Sequence, residues 1–79
     1  MPLTMVSPGA ENIIQKIGGP PEIRHRLESL GFAVGGSVRL ISTLNGSVIV
    51  VVKDARIAVS EEMARKILVT QASSGKMPR

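Results

Sequence analysis

The chain has no cysteine, no tryptophan and no tyrosine, and its one phenylalanine is Phe32. Without cysteine it forms neither a disulfide nor a thiolate metal site, which fits the reducing cytosol as the expected compartment. With one aromatic side chain it offers no platform for stacking bases and no aromatic-lined groove for proline-rich peptides. Histidine is nearly absent too, His25 standing alone, so a nucleophile, a base and an orienting group cannot be assembled, and the expected activity is non-enzymatic. The longest aliphatic run, Val48-Ile49-Val50-Val51-Val52, falls far short of the ~20 apolar residues of a membrane helix. The opening Met1-Pro2-Leu3-Thr4-Met5 lacks the basic and apolar regions of a signal peptide. Neither a membrane span nor export by that route is expected.

What remains is an aliphatic chain of modest charge. At 79 residues and 43% hydrophobic, it makes one domain with a core of Val, Ile, Leu, Met and Ala, near the size at which only about 60% of the surface is buried on folding. Ten Lys and Arg face six Asp and Glu, a net charge of +4. Lys76 and Arg79 lie in a polar carboxy-terminal stretch, so the folded part is only mildly basic. That suits an acidic partner or a membrane surface.

Along the chain, Leu3 to Val6 is a short apolar segment, and Ser7-Pro8-Gly9-Ala10 a turn. Glu11 to Ile17 carries Ile13, Ile14 and Ile17 as a first strand, closed by Gly18-Gly19-Pro20-Pro21. Pro21 suits the first turn of a helix, and Ile23, Leu27 and Leu30 recur at helical spacing. Glu22 with Arg26 and Arg24 with Glu28 are i,i+4 pairs. Gly31 is placed to end the helix with Phe32 closing back on Leu27. Asn45-Gly46 between two strands, Val38 to Thr43 and Ser47 to Lys53, predicts a tight hairpin. A second turn at Asp54-Ala55 leads into Arg56 to Val59. Ser60 caps a short helix with acids in its first turn and Arg65 and Lys66 at its end, and Ile67 to Val69 is a closing strand. The domain is expected over 1–70, with 71–79 a disordered tail. Several short strands with one or two short helices predict a mainly β fold, a small barrel that removes exposed edges.

A two-residue turn pairs Leu44 with Ser47 and sets the rest of the hairpin by even alternation. Val38, Leu40, Ser42, Ile49, Val51 and Lys53 would share one face, and Arg39, Ile41, Thr43, Val48, Val50 and Val52 the other. Both faces are then rich in apolar residues, whereas a half-solvated sheet shows a polar outer face. Either the Ile23-Leu27-Leu30 stripe covers the second face, or part of it around Ile41 and Val50 stays open as a docking patch. The second reading is the working expectation.

The charged residues offer little chemistry. His25 lies off the helical apolar stripe, and its alternatives are a surface residue, a weak metal ligand at an oligomer contact or a pH-sensitive group. Glu61 and Glu62 are adjacent and diverge by about 100° in a helix, so they complement its dipole rather than form an acid–base pair. No converging set of three or four metal ligands is visible, and no cofactor is implied. Gly18-Gly19 and Gly35-Gly36 lack the Lys-Ser/Thr of a phosphate loop. The dispersed basic residues disfavour nucleic acid as a partner.

Leu3-x-x-Val6-x-Pro8-Gly9 followed by Ile14 to Gly18 resembles the opening of the ferrous-iron transport protein A (FeoA) family. His25-Arg26-Leu27-Glu28-Ser29-Leu30-Gly31-Phe32, then Gly35 and Val38, is similar to its central segment. Arg56-Ile57-Ala58-Val59, Met63-Ala64 and Ile67-x-Val69 look like its end, so the resemblance spans about Leu3 to Val69. It implies an SH3-like β-barrel and a cytoplasmic, non-enzymatic accessory role in bacterial ferrous iron uptake, beside the FeoB membrane transporter with its GTPase domain. The residues it leaves for docking are Arg24, Arg26, Arg39, Ile41, Val50 and Arg56, and an arginine finger from Arg24, Arg26, Arg39 or Arg56 is open, with nothing to select one. Direct Fe²⁺ association, weak and without a ligand cluster, stays open, as does an oligomer. The same fold occurs as the carboxy-terminal domain of iron-dependent repressors, whose DNA-reading part has no counterpart here. The alternative implied is therefore a stand-alone regulatory domain of that type, associated with metal or nucleic acid. The hairpin Leu44-Asn45-Gly46-Ser47 is shorter than in many family members.

Overall fold

The computed structural model describes residues 1–72. Glu11–Ile17 forms strand β1, Pro21–Ser29 helix α1, Ser37–Leu44 β2, Ser47–Val52 β3, Ala55–Ser60 β4, Glu61–Ala64 a one-turn helix α2, and Ile67–Gln71 β5. The apolar segment before β1 is a 3-10 turn, Leu3–Met5, that sends Leu3 fully into the core. The strands make one antiparallel sheet in the order β4-β3-β2-β1-β5, and β4 and β5 do not pair. The sheet curves around its core without closing.

Helix α1 ends as the Gly31 signal requires. The Phe32 N–H donates to Leu27 O at 3.1 Å and the Gly31 N–H to Glu28 O at 3.0 Å, the two bonds of a Schellman ending. Gly31 has φ +111°, a conformation that L side chains rarely adopt, and a Cβ there would sit a tight 3.2 Å from Val52 Cγ1, so the position favours glycine. Phe32 and Leu27 are both fully buried in the same core cluster. Of the predicted helical stripe, Ile23 packs on that core and Leu27 is inside it, but Leu30 is 39% exposed. The Glu22–Arg26 and Arg24–Glu28 pairs do not form. Among the described residues the ion pair within 4.0 Å is Glu61–Arg65, at 3.9 Å, because exposed flexible side chains gain little from a fixed geometry. Ser60 caps α2 as expected, its hydroxyl accepting from the Met63 N–H at 3.2 Å.

The hairpins are set by positive φ. Asn45 (φ 50°) and Gly46 (φ 81°) form the predicted turn. The second turn lies one residue earlier than predicted, at Lys53 (φ 51°) and Asp54 (φ 65°), with Val52 paired to Ala55. Register explains the shift: β3 and β4 pair from Val48↔Val59 without a break, and this leaves two residues for the loop although neither is glycine. Exchanging both for the Asn-Gly pair (K53N/D54G) should raise stability by about 1 kcal/mol. The check is a higher urea midpoint at unchanged m-value.

The strand at the carboxy-terminal side extends further than the 1–70 boundary. Gln71 pairs with Asn12, and the Ala72 N–H donates to Glu11 O at 3.2 Å. The rest of the expected tail, 73–79, lies outside the described residues. On its other edge β5 meets the amino-terminal residues: Pro2 bridges Leu68, and the Val69 N–H donates to Met1 O at 2.7 Å.

Candidate functional site

The docking patch expected from even alternation depends on a register that the structure does not keep. Leu44↔Ser47, Thr43↔Val48 and Ser42↔Ile49 pair as predicted, but the next pair is Leu40↔Val50, with Ile41 left as an extra residue. This β-bulge shifts every earlier residue of β2 by one position against β3 and so exchanges its faces. Val38 and Leu40 join Val48, Val50 and Val52 in the core, while Arg39 moves to the outer face opposite Val51. Val50 is fully buried. It is a core residue and belongs to no surface patch, which corrects the expectation for it. Ile41 remains half-buried at the bulge itself.

The bulge also creates a new constellation. Arg56 of β4 is opposite Val51 of β3, Val51 is opposite Arg39 of β2, and Arg39 is opposite Glu11 of β1. Four successive strands thus contribute one side chain each to a row across the outer face. Arg56, Arg39 and Glu11 are exposed and Val51 is half-buried. The neighbouring row, Ala58, Ile49 and Ser42, adds a half-buried isoleucine. Beside the first row is a depression of about 270 Å³ lined by Glu11, Ser37, Arg39, Val51, Lys53 and Asp54. Glu11 and Arg39 are directly opposite, yet they form no ion pair within 4.0 Å, so both remain available to other groups.

The other residues singled out from sequence go elsewhere. Arg24 and Arg26 are exposed on α1 and share no strand with the row. Of the six docking candidates, Arg39 and Arg56 come together, Ile41 borders them, Val50 is inside, and the two helical arginines stand apart. Glu11 and Val51 are the members that sequence patterning missed. A bulge is encoded by no residue type at Ile41, and without it Val51 falls on the face away from Arg39.

His25 is exposed on α1. Among the described residues no three of His, Cys, Asp or Glu gather as a metal group, and no helix is long and apolar enough to cross a membrane. A second hollow of about 150 Å³, beside the 3-10 turn, is lined by Met5, Ser7, Asn12 and Gln71 among others and has no charged side chain. Asn12 is buried there, its Nδ2 donating to Ala10 O at 3.3 Å.

A family model described as FeoA domain matches residues 1–71. A protein of Methanocaldococcus jannaschii named Fe(2+) transport protein A is 35% identical over 74 residues, covering 94% of this chain and 90% of its own length. The crystal structure of an iron uptake regulatory protein (FeoA) superposes with a TM-score of 0.80 at 26% identity, over 87% of this chain and 93% of that one. A manganese-dependent transcriptional repressor in complex with manganese shares the fold at a TM-score of 0.82 and 17% identity, over 90% of this chain and 36% of that one.

Proposed function

Since this chain belongs to the FeoA family, we propose that its role in ferrous iron uptake is that of a docking module, seated on the cytosolic side of the FeoB membrane GTPase through the outer face of its sheet. The observation that carries this reading is the row Arg56, Val51, Arg39 and Glu11. Charges on an exposed sheet face are ordinary, but half-buried Val51 and Ile49 lie among them without a covering helix, and such a mixture suits a protein interface. Iron is the transporter's cargo in this reading and not a ligand of this chain. Nucleic acid is the weaker partner, because Glu11 and Asp54 sit among the cations of the same depression and would repel phosphate.

Titration calorimetry of the purified chain with the cytosolic part of the transporter tests the reading. The double variant R39E/R56E is expected to bind at least about tenfold more weakly. The double variant R24E/R26E on α1 is expected to stay within about twofold. Absence of binding by the unaltered chain, or equal losses for the two variants, overturns it.

A further inference from the structure

The sheet has two edges, and the chain treats them differently. At the β5 edge its own first residues take the place of a neighbour. Pro2 bridges Leu68, the Met1 amine donates to Val69 O at 3.0 Å, and the Val69 N–H donates to Met1 O at 2.7 Å. The β4 edge has no such cover among the described residues. Register shows which of its groups are left over. The two-residue turn at Lys53-Asp54 makes Val52 and Ala55 a hydrogen-bonded pair, and such pairs recur at every second residue. Ala55, Ile57 and Val59 therefore direct their backbone groups at β3. The Glu61 N–H keeps the same alternation, donating to Gly46 O at 2.8 Å. The N–H and C=O of Arg56 and Ala58, and the N–H of Ser60, point away from the sheet. Natural edges are usually blunted by proline, a bulge or an inward-pointing charge. Strand β4 has none of these: Ala55 to Ser60 contains no proline, its pairing with β3 is unbroken, and its inward Ile57 and Val59 are apolar.

We propose that β4 is a dimer edge, pairing antiparallel with β4 of a second copy of this chain about a two-fold axis at Ala58. What an open row of alternating N–H and C=O groups recognises is another extended backbone, and this strand is complementary to itself. Centring on Ala58 sets Arg56 opposite Ser60 of the second copy and Ile57 opposite its Val59, each twice by symmetry. Half-buried Ile57 then gains an apolar neighbour. A centre at Arg56 sets two guanidiniums face to face, and a centre at Ile57 leaves the Ser60 N–H unused. Charge selects the antiparallel sense. Arg56 lies near the start of β4, and Glu61 and Glu62 follow its end, so reversal brings each arginine toward the acids of the other copy. A parallel pair sets arginine beside arginine and acid beside acid. The other nearby charges do not undo this: Lys53 and Asp54 of the turn offset each other, and Arg65 lies 3.9 Å from Glu61 of its own chain. The product is a closed pair with no β4 edge left for a third copy. This pairing does not depend on docking at the transporter, since it needs this chain alone.

Sedimentation of the full chain over a concentration series up to about 1 mM should show a monomer–dimer equilibrium. Hydrogen exchange at the Arg56 and Ala58 amides should slow as the dimer fraction rises. Ala58→Pro removes an N–H that the β3 ladder does not use, so the monomer should keep its fold by circular dichroism. Its dimer dissociation constant should rise at least about tenfold. Ala58→Lys, an exposed change, sets two ammonium groups opposite each other and should weaken the dimer as much. Ala58→Glu should do the same with two carboxylates. An equimolar mixture of A58K and A58E should pair again as a heterodimer, a rescue that unfolding cannot mimic. A chain that stays monomeric throughout, a dimer that survives both A58P and A58K, or a mixture that fails to pair overturns the inference. If the chain is monomeric and those amides gain protection only when the transporter's cytosolic part is added, the edge takes a strand of that protein and self-pairing falls. If the dimer forms as described and the transporter part does not bind, self-pairing stands and the docking reading falls.

Discussion

Glutamate at position 50 should unfold the protein, whereas glutamate at position 51 should leave it folded. Val50 has no exposed surface and lies in the core beside Leu40 and Ile57, its cross-strand partners. A carboxylate placed there either remains charged in an apolar interior or takes up a proton, and each route is costly. The expected loss exceeds about 4 kcal/mol. Native domains hold only about 0.05–0.15 kcal/mol per residue, so a loss of that size removes most or all of the stability of a chain this short. Val51 is half-buried on the outer face between Arg39 and Arg56. Its replacement should cost less than about 1 kcal/mol, and the new carboxylate gains two cationic neighbours. Circular dichroism and urea melts of V50E and V51E read the outcome directly. Even alternation from the Asn45-Gly46 turn would place Val50 opposite Ile41 on an open face. A folded V50E protein would therefore mean that the bulge at Ile41 is absent.

Phe32→Ala should be nearly as damaging, by about 3–5 kcal/mol. Phe32 is the sole aromatic residue of the chain and is fully buried. Its position is fixed twice, by its side chain in the core and by its N–H bond to Leu27 O at 3.1 Å. The neighbouring side chains are aliphatic and branched, and a rigid sheet cannot collapse far enough to refill the space. Phe32→Leu, which keeps much of the volume, should cost roughly 1–1.5 kcal/mol. Both variants retain the backbone bond to Leu27 O, so the difference between the two losses in denaturant melts reports the side-chain volume removed.

Local signals were legible where a residue type has one physical use. Asn45-Gly46 marks a turn because both positions need positive φ, and Gly31 ends α1 for the same reason. Ser60 caps α2 because its oxygen can reach the Met63 N–H. The strand limits of β1, Glu11 and Ile17, follow from its isoleucines and from the Gly-Pro cluster after it. Sequence alone places the second turn one residue late, at Asp54-Ala55, because Asp54 tolerates positive φ but Lys53 has no preference for it. Only the pairing of β3 with β4 assigns them that conformation.

From its sequence alone the chain is a small, mainly β, aliphatic domain of the FeoA kind, because the order of its turns, helix ending and apolar segments is written in short-range chemistry. The tertiary structure decided that the sheet stays unclosed between β4 and β5 and that Val50 is core while Val51 is surface. It also brought Arg39 and Arg56 into one row with Glu11. The physical reason is the side-chain period of a strand: with a repeat of two, one extra residue at Ile41 inverts every face before it, and whether that residue is inserted depends on what the completed core can hold.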